Sequence, residues 1–188
     1  MVWEIGLPAQ SAASLPDNLT DAQLAEACKR GELCAFERLY ELHAGRMKSL
    51  AFHLLGSRAD AEDAVQETFI KVYRAVRGFE GNSALTTWIY RILLNCCYDA
   101  LRKRQRLAED PAPAQMRAEN SKVALKIALE RALGLLNEQQ RTVFLMFEVE
   151  GLKHSEIAGA LEVPEGTSRS WLFEAKTQLK RLLMGMGQ

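Results

Sequence analysis

Apolar residues recur at helical spacing along most of this chain, whereas the strict alternation of a half-buried strand is almost absent. In the first half, this spacing and the capping-box pair Thr20 and Gln23 predict a short first helix and longer helices over 33–54, 60–77 and 85–106. In the second half, the spacing predicts helices over 121–134, 138–149, 154–161 and 166–183. We therefore expect an all-α fold.

The helical pattern is interrupted between residues 107 and 120, where the sequence turns polar and rich in alanine and proline. A segment without a sustained apolar face is typical of a flexible connection between separately folded domains. We expect two small helical domains at 20–106 and 121–188, joined by a linker at 107–120. Residues 1–19 lack the basic start and apolar run of a signal peptide and are expected to form a disordered tail.

The composition argues against several functional classes. The chain carries 24 basic and 24 acidic residues, which is not the balance of an indiscriminate polyanion binder, although four cations crowd into 102–106. No apolar stretch is long enough for membrane insertion. The four cysteines lack metal-ligand spacing and are interpreted as core thiols, with a Cys28 to Cys34 redox link left open. The spacing of the three histidines suggests no Ser/His/Asp or Cys/His set, so we expect no catalytic residues, metal, cofactor or small-molecule substrate.

The segment 154–183 has the order of a helix-turn-helix: a short helix, a tight turn at 162–165 and a longer second helix. An exposed Phe173 amid polar residues suits contact with a thymine methyl group or a sugar, and Arg169 suits a phosphate or a guanine. The alternatives for Phe173 are a solitary surface aromatic and a dimer contact. Helical periodicity buries Leu172, Ala175, Leu179 and Leu183 and turns outward Ser170, Phe173, Glu174, Thr177, Lys180 and Arg181.

The predicted helix 60–77 carries an unusual outward face. Val65, Phe69, Val72 and Val76 form its core stripe, and Asp63, Gln66, Glu67 and Ile70 lie opposite. Acidic and amide groups around an exposed isoleucine favour docking of a basic partner helix around an apolar anchor. The alternative is an ordinary solvated acidic face.

The predicted helix 85–106 alternates aromatic and basic groups on one side. Leu85, Ile89, Ile92, Leu93 and Cys96 turn inward, and Trp88, Arg91, Asn95, Tyr98, Arg102 and Arg106 share the other side. Such a stripe can stack on unpaired bases and follow a phosphate backbone, which indicates single-stranded DNA as its ligand. For Trp88, the alternative is burial against the preceding loop.

Four segments carry a family resemblance: DAEDAVQETF at 60–69, TWIYRI at 87–92, GLKHSEIA at 151–158 and PEGT at 164–167. In this order and spacing they resemble the bacterial extracytoplasmic-function (ECF) sigma factors of the sigma-70 family, over roughly residues 19–183. The resemblance implies that family's regions 2 and 4, without regions 1 and 3. It implies a cytoplasmic subunit that directs core RNA polymerase to promoters in a stress or envelope response and is held inactive by an anti-sigma protein.

The resemblance also implies three sets of site residues. Asp63, Gln66, Glu67 and Ile70 would dock the β′ clamp helices of core RNA polymerase, whose β subunit is a further partner. The loop 79–87 would capture a flipped base of the single-stranded −10 element, whose expected contacts are Phe79, Asn82, Ser83, Trp88, Arg91, Asn95, Tyr98, Arg102 and Arg106. The expected contacts of the double-stranded −35 element are Thr167, Arg169, Ser170, Trp171, Phe173, Glu174, Lys176 and Thr177.

Three positions depart from the family pattern, which has an apolar residue where Ser168 stands and basic residues where Trp171 and Glu174 stand. Loss of two cations weakens phosphate anchoring, and a carboxylate facing the groove either accepts from cytosine N4 or repels the backbone. We therefore expect an atypical −35 preference, or a weak one that relies on the first domain. A stand-alone helix-turn-helix regulator and a helical protein-interaction module are the alternative hypotheses.

Overall fold

The computed structural model describes residues 19–107 and 121–185, and the regular structure in those two ranges is entirely helical. The all-α prediction is therefore confirmed. Nearly all of the expected tail 1–19 and linker 107–120 lies outside the described residues. The helices are α1 (Asp21–Lys29), α2 (Leu33–Leu55), α3 (Arg58–Ala75), α4 (Leu85–Leu107), α5 (Ser121–Gly134), α6 (Glu138–Phe144), α7 (His154–Leu161) and α8 (Glu165–Gly185).

The helix ends follow local capping chemistry. Thr20 and Gln23 form the predicted capping box, in which the Gln23 amide donates to the Thr20 hydroxyl at 3.3 Å and the Thr20 amide donates to Gln23 Oε1 at 2.9 Å. Ser57 caps α3 by accepting from the Asp60 amide, so this helix begins two residues earlier than predicted. Two predicted helices end in a different geometry, a 3₁₀ turn at Val76–Gly78 and a π turn at Leu145–Val149.

Helices α1–α4 form a first bundle, and α2, α3 and α4 make up its centre. Its core includes Leu39, Met47, Leu50, Val65 and Leu93. The first helix is fastened to the fourth because the Asp21 carboxylate accepts from the Leu85 amide at 2.6 Å and from the Thr86 hydroxyl at 3.3 Å. An acidic side chain from α1 thus caps the N-terminus of α4 and fixes where the preceding loop ends.

Helices α5–α8 form a second bundle whose last two helices are the predicted helix-turn-helix. Glu162 ends α7 in the left-handed conformation with a φ of 57°, and the Val163 amide donates to the Ala158 carbonyl at 3.0 Å. The Glu162 amide donates to the same carbonyl, and this arrangement ends α7 and turns the chain into α8. Ile157, Leu172 and Ala175 are buried between the helices, as the periodicity predicts for Leu172 and Ala175, whereas Leu183, also predicted to be buried, is half-buried.

The two bundles share one continuous apolar core, with α4 packed along α7. The helices approach each other closely at Gly159, where a Cβ atom would lie 2.8 Å from Thr87 Cγ2. Glycine permits such close approach of a helix backbone to a neighbouring side chain. This contact places one side of α4 against the helix-turn-helix.

Candidate polymerase and DNA interfaces

The acidic face of α3 is exposed as the helical period predicts. Asp63, Gln66 and Glu67 are exposed, and half of the Ile70 side chain is accessible to solvent (50%). Glu67 is partly neutralised by Lys71, whose Nζ lies 2.8 Å from its carboxylate. The face therefore presents acidic and amide groups around an apolar side chain that is not part of the bundle core.

An aromatic patch that the sequence analysis missed continues this face onto α2. Tyr73 is 53% exposed one turn after Ile70 and packs against Phe36, with ring centroids 5.0 Å apart. Tyr40 and Phe69 form a second pair at 4.9 Å, so Phe69 is half-buried rather than fully in the core. The helical spacing of Phe36 and Tyr40 along α2 is the signal that could have revealed the patch.

Phe79 and Trp88 pack on each other instead of standing open. Their ring centroids are 5.2 Å apart, Phe79 is only 9% exposed, and the Lys29 ammonium lies 5.7 Å from the Phe79 centroid. The structure thus favours burial of Trp88 against the preceding loop over an exposed stacking platform. In the same loop Asn82 is exposed and donates to the Glu80 carboxylate at 2.8 Å, and Ser83 is half-buried.

The predicted DNA-binding stripe of α4 is open only in part. Arg91 donates to the Gly159 carbonyl at 2.6 Å and pairs with the Glu162 carboxylate at 2.8 Å. Tyr98 is hydrogen-bonded to the Thr142 hydroxyl at 2.9 Å, and burial raises the pKa of its phenol to about 12. Neither side chain is fully open to solvent, because the second bundle packs on both, although a third of the Arg91 side chain remains accessible (33%).

The C-terminal part of the stripe remains accessible. Asn95, Arg102 and Arg106 are exposed, and Arg102 pairs with Asp99 at 2.7 Å. Arg104 from the same cationic run donates to the Leu55 carbonyl at 2.9 Å. It thereby stabilises the C-terminal end of α2, where a cation is favoured by the helix dipole, and is not free for a phosphate.

The outward face of α8 matches the prediction for most positions. Phe173 is 72% exposed, and Ser170 and Thr177 are exposed on either side of it along the helix. Two of the expected −35 contacts are less accessible than predicted, because Thr167 is half-buried and Trp171 packs partly against the core. Helical periodicity alone places Trp171 near the boundary between faces, and its size lets it reach the interior.

Three charged residues of α8 that were expected to contact DNA are bound to partners within the second bundle. Glu174 accepts from the Gln140 amide at 2.9 Å, and Lys176 pairs with Glu148 at 2.6 Å. Arg169 is bound by Glu165 one turn earlier on the same helix. These contacts orient the side chains and compete with a phosphate for the two cations.

Ser168, which departs from the family pattern, is completely buried. Its hydroxyl lies 3.0 Å from His154 Nδ1, and the His154 ring stacks on Phe147 with centroids 4.6 Å apart. A buried hydroxyl is tolerated when it has a hydrogen-bonding partner. The polar residue at this position is therefore a structural contact between α7 and α8.

Each of the four cysteines is a free thiol, and Cys28, Cys96 and Cys97 are buried. Burial raises the pKa of Cys28 and of Cys97 to about 12, so neither is a reactive thiolate near neutral pH. Within residues 19–107 and 121–185, no group of acidic, histidine or cysteine side chains is arranged to hold a metal ion. No helix in these ranges is both long and apolar enough to cross a membrane.

Comparison with known proteins identifies the family to which these features correspond. The sigma-70 region 2 family matches residues 39–107, and the sigma-70 region 4 family matches residues 126–179. The ECF RNA polymerase sigma factor SigM of Mycobacterium tuberculosis is 31% identical over 168 residues, covering 87% of this chain and 85% of its own. The ECF RNA polymerase sigma-E factor of Haemophilus influenzae is 32% identical over 183 residues, covering 88% and 96%.

Solved structures agree with this assignment. The sigma factor RpoE of Bartonella quintana, solved with the anti-sigma factor NepR, superposes with a TM-score of 0.65 at 26% identity, covering 79% of this chain and 96% of its own. CnrH, solved with the cytosolic domain of CnrY, gives a TM-score of 0.71 at 23% identity, covering 88% and 97%, and supports the fold.

Proposed function

The chain belongs to the ECF sigma factors of the sigma-70 family, non-enzymatic initiation subunits that bring core RNA polymerase to specific promoters, and we propose how its surfaces divide that task. The first bundle docks core polymerase through α3 and binds the single-stranded −10 element through α4 and the loop before it. The second bundle binds the −35 duplex through α8.

The exposed face of α3 is the observation that carries the proposal. Asp63, Gln66 and Glu67 surround the half-exposed Ile70, which gives an acidic rim around an apolar anchor. A complementary partner is a basic helix with apolar groups at its centre, such as a β′ clamp helix of core polymerase. The aromatic patch of Phe36, Tyr40 and Tyr73 would widen the same contact.

The −10 strand would follow the side of α4 that carries Arg91, Asn95, Tyr98 and Arg102. Stacking of an unpaired base on an aromatic side chain is worth about 1–3 kcal/mol, which offsets the cost of unstacking a duplex step. Cations beside the aromatic side chains bind the phosphates. Binding energy gained only on the melted strand would thus favour promoter opening.

The −35 contact would be made by α8 with Phe173 at its centre. An aromatic ring that is 72% exposed on a groove-facing helix can pack on thymine methyl groups. Arg169 and Lys176 are held by Glu165 and Glu148, and Glu174 adds a negative charge to the face. We therefore infer a −35 contact with few phosphate anchors that depends on the first bundle for much of its affinity.

We further infer that the protein works in the bacterial cytoplasm, where RNA polymerase transcribes, and responds to an envelope or other stress. The RpoE structure, which was solved with the anti-sigma factor NepR, supports regulation of this protein by an anti-sigma protein.

The test is reconstitution of the full chain with sigma-free core polymerase on a fragmented genomic library. We expect discrete transcripts, and their aligned upstream sequences should contain two elements at fixed spacing. Core enzyme alone should not initiate transcription from these elements. Failure of the chain to bind core polymerase would overturn the proposal and favour a stand-alone DNA-binding role.

A further inference from the structure

We propose that Lys71 of α3 and Cys96 of α4 form an oxidative crosslink, a sulfur–nitrogen bond made when the protein meets a peroxide. Lys71 Nζ donates to Cys96 Sγ at 3.4 Å, and the two residues are 25 positions apart in sequence. A bond between them would join α3 to α4 directly beside the acidic face of α3. Its effect on polymerase rests on the docking role proposed for that face, whereas formation of the bond does not.

The Cys96 sulfur is placed where a small oxidant can reach it. Only 2% of the residue is exposed, yet it lies in the wall of a cleft of about 480 Å³ between α3 and α4. The exposed residues Glu67 and Asp99 line the same cleft, so the cleft communicates with solvent. A cation beside a sulfur favours the thiolate, which is the form that attacks a peroxide. The cleft supplies access, and the Lys71 ammonium supplies the cation.

The Lys71 nitrogen lies between two partners. It is 2.8 Å from the Glu67 carboxylate on its own helix and 3.4 Å from the Cys96 sulfur on α4. The hydrogen bond from Glu67 raises the pKa of Lys71, so the amine must give up a proton before it can act as a nucleophile. The Glu67 carboxylate is within reach to accept that proton.

The crosslink would form in two steps. In the first, the Cys96 sulfur attacks hydrogen peroxide, so that a sulfur–oxygen bond forms, the oxygen–oxygen bond breaks and water leaves. Sulfur gives up an electron pair, the peroxide accepts it, and the product is a sulfenic acid. In the second, the Lys71 nitrogen attacks this sulfur, and the sulfenic oxygen leaves as water. The protein has then lost the thiol hydrogen and one amine hydrogen, and a thiol reductant restores both.

The crosslink would change the charge of the docking face. In the reduced protein the Lys71 ammonium offsets the Glu67 carboxylate. In the crosslinked protein the Lys71 nitrogen is uncharged and held at Cys96, so Glu67 stands without a counter-ion. A basic partner helix would then meet one more unpaired negative charge and bind more tightly. A peroxide would thus favour the assembly of this sigma factor with core polymerase.

The first experiment treats the full chain with hydrogen peroxide and maps crosslinked peptides by mass spectrometry. We expect a peptide pair joined at Lys71 and Cys96, which a thiol reductant separates. Lys71→Arg keeps a cation beside the sulfur but does not give up a proton, so it should abolish the pair. Cys97→Ser is the matched control and should retain the pair, because burial raises the pKa of the Cys97 thiol to about 12. Absence of the pair from the treated parent would overturn the proposal.

The second experiment measures the affinity of the full chain for core polymerase after the peroxide has been removed. The oxidised parent should bind about threefold more tightly than the reduced parent, in keeping with the modest strength of an exposed ion pair. Lys71→Gln frees Glu67 without oxidation and should match the oxidised parent, whereas Cys96→Ser should not respond to peroxide.

The outcomes of the second experiment separate the two proposals. Equal affinities for the reduced and the crosslinked parent would disprove the effect of the crosslink on docking. Failure of both forms to bind core polymerase would instead contradict the proposed function, and the peptide pair of the first experiment would still establish the crosslink.

Discussion

The imidazole of His154 and the hydroxyl of Ser168 lie 3.0 Å apart and join the start of α7 to the first part of α8. This hydrogen bond is inside the protein, since Ser168 has no accessible surface. It couples the orientation of the helix proposed to bind the −35 element to the helix that supports it. The substitution of a serine for an apolar residue has therefore not left an unpaired hydroxyl in the core.

We expect Ser168→Ala to lower the free energy of unfolding by about 1–2 kcal/mol, because it removes a buried bond and leaves His154 without its partner. Urea denaturation followed by circular dichroism measures the change. Ser170→Ala, at an exposed position on the same helix, is the control and should change stability very little. Equal stabilities for the two variants would show that the His154 contact contributes nothing.

Phe173→Ala should weaken binding to −35 duplex DNA by about tenfold, since a good base contact is worth ~1–3 kcal/mol. Fluorescence anisotropy with the holoenzyme and a promoter fragment measures the loss. The control is Met184→Ala, which removes another exposed apolar side chain, 66% accessible, near the C-terminal end of α8. This change should leave the affinity for DNA unchanged. Because both side chains are exposed, unfolding cannot account for a difference between them.

Glu67→Lys should reduce the affinity for core polymerase at least tenfold, because a basic partner would meet a cation in place of a carboxylate. Co-purification with core polymerase at equal concentrations, followed by measurement of the dissociation constant, gives the size of the effect. Glu26→Lys is the matched control, since Glu26 and Glu67 each pair with a lysine on their own helix at 2.8 Å. A loss of the same size in both variants would place the docking surface elsewhere.

Glu174→Arg should strengthen binding to duplex DNA and steepen its salt dependence by about one phosphate contact. The change also removes the Gln140 bond at 2.9 Å, so Glu174→Gln serves to separate loss of the carboxylate from gain of a cation. Titrations at several salt concentrations measure the slope. Unchanged slope and unchanged promoter choice would mean that this position does not face DNA.

The stability of the folded protein should depend on the ionisation of Glu150. Burial raises the pKa of its carboxyl group, while Ser49, Arg46 and His53 oppose the shift, and Tyr90 faces it from α4. Because its pKa is raised, the Glu150 carboxyl group destabilises the folded protein least when it is protonated, and this relative stability is lost as the pH rises through the raised pKa.

Glu150→Gln should therefore melt at a higher temperature than the parent at about pH 7, and the difference should shrink as the pH is lowered to about 5. Calorimetry at both pH values measures this difference directly. A difference that is constant or has the opposite sign would contradict the assigned direction.

Helix positions could be predicted because their causes are local. The Thr20 capping box and the apolar period of α8 depend on neighbours within a few residues, and both are observed. The exposed face of α3 follows from the same periodicity, since its opposite side is apolar enough to be the core.

The covering of Arg91 and Tyr98 could not be predicted, because helical periodicity shows that a face is polar without showing what packs on it. Arg91 binds a carbonyl at Gly159, and no pattern near either residue encodes their meeting. The burial of Trp171 and of Phe69 differs from prediction for a related reason. A residue at the edge of an apolar stripe is buried or exposed according to which neighbouring helix packs beside it.

The Asp21 carboxylate accepts from the Leu85 amide, and this bond joins two residues that are 64 positions apart. Detachment of α1 would free that amide to exchange its proton with solvent while most of α4 stayed protected. Deuterium uptake at Leu85 is thus a local reporter of whether the first helix remains attached. A ligand that restrains α1 would slow the uptake even without touching the DNA-binding side of α4.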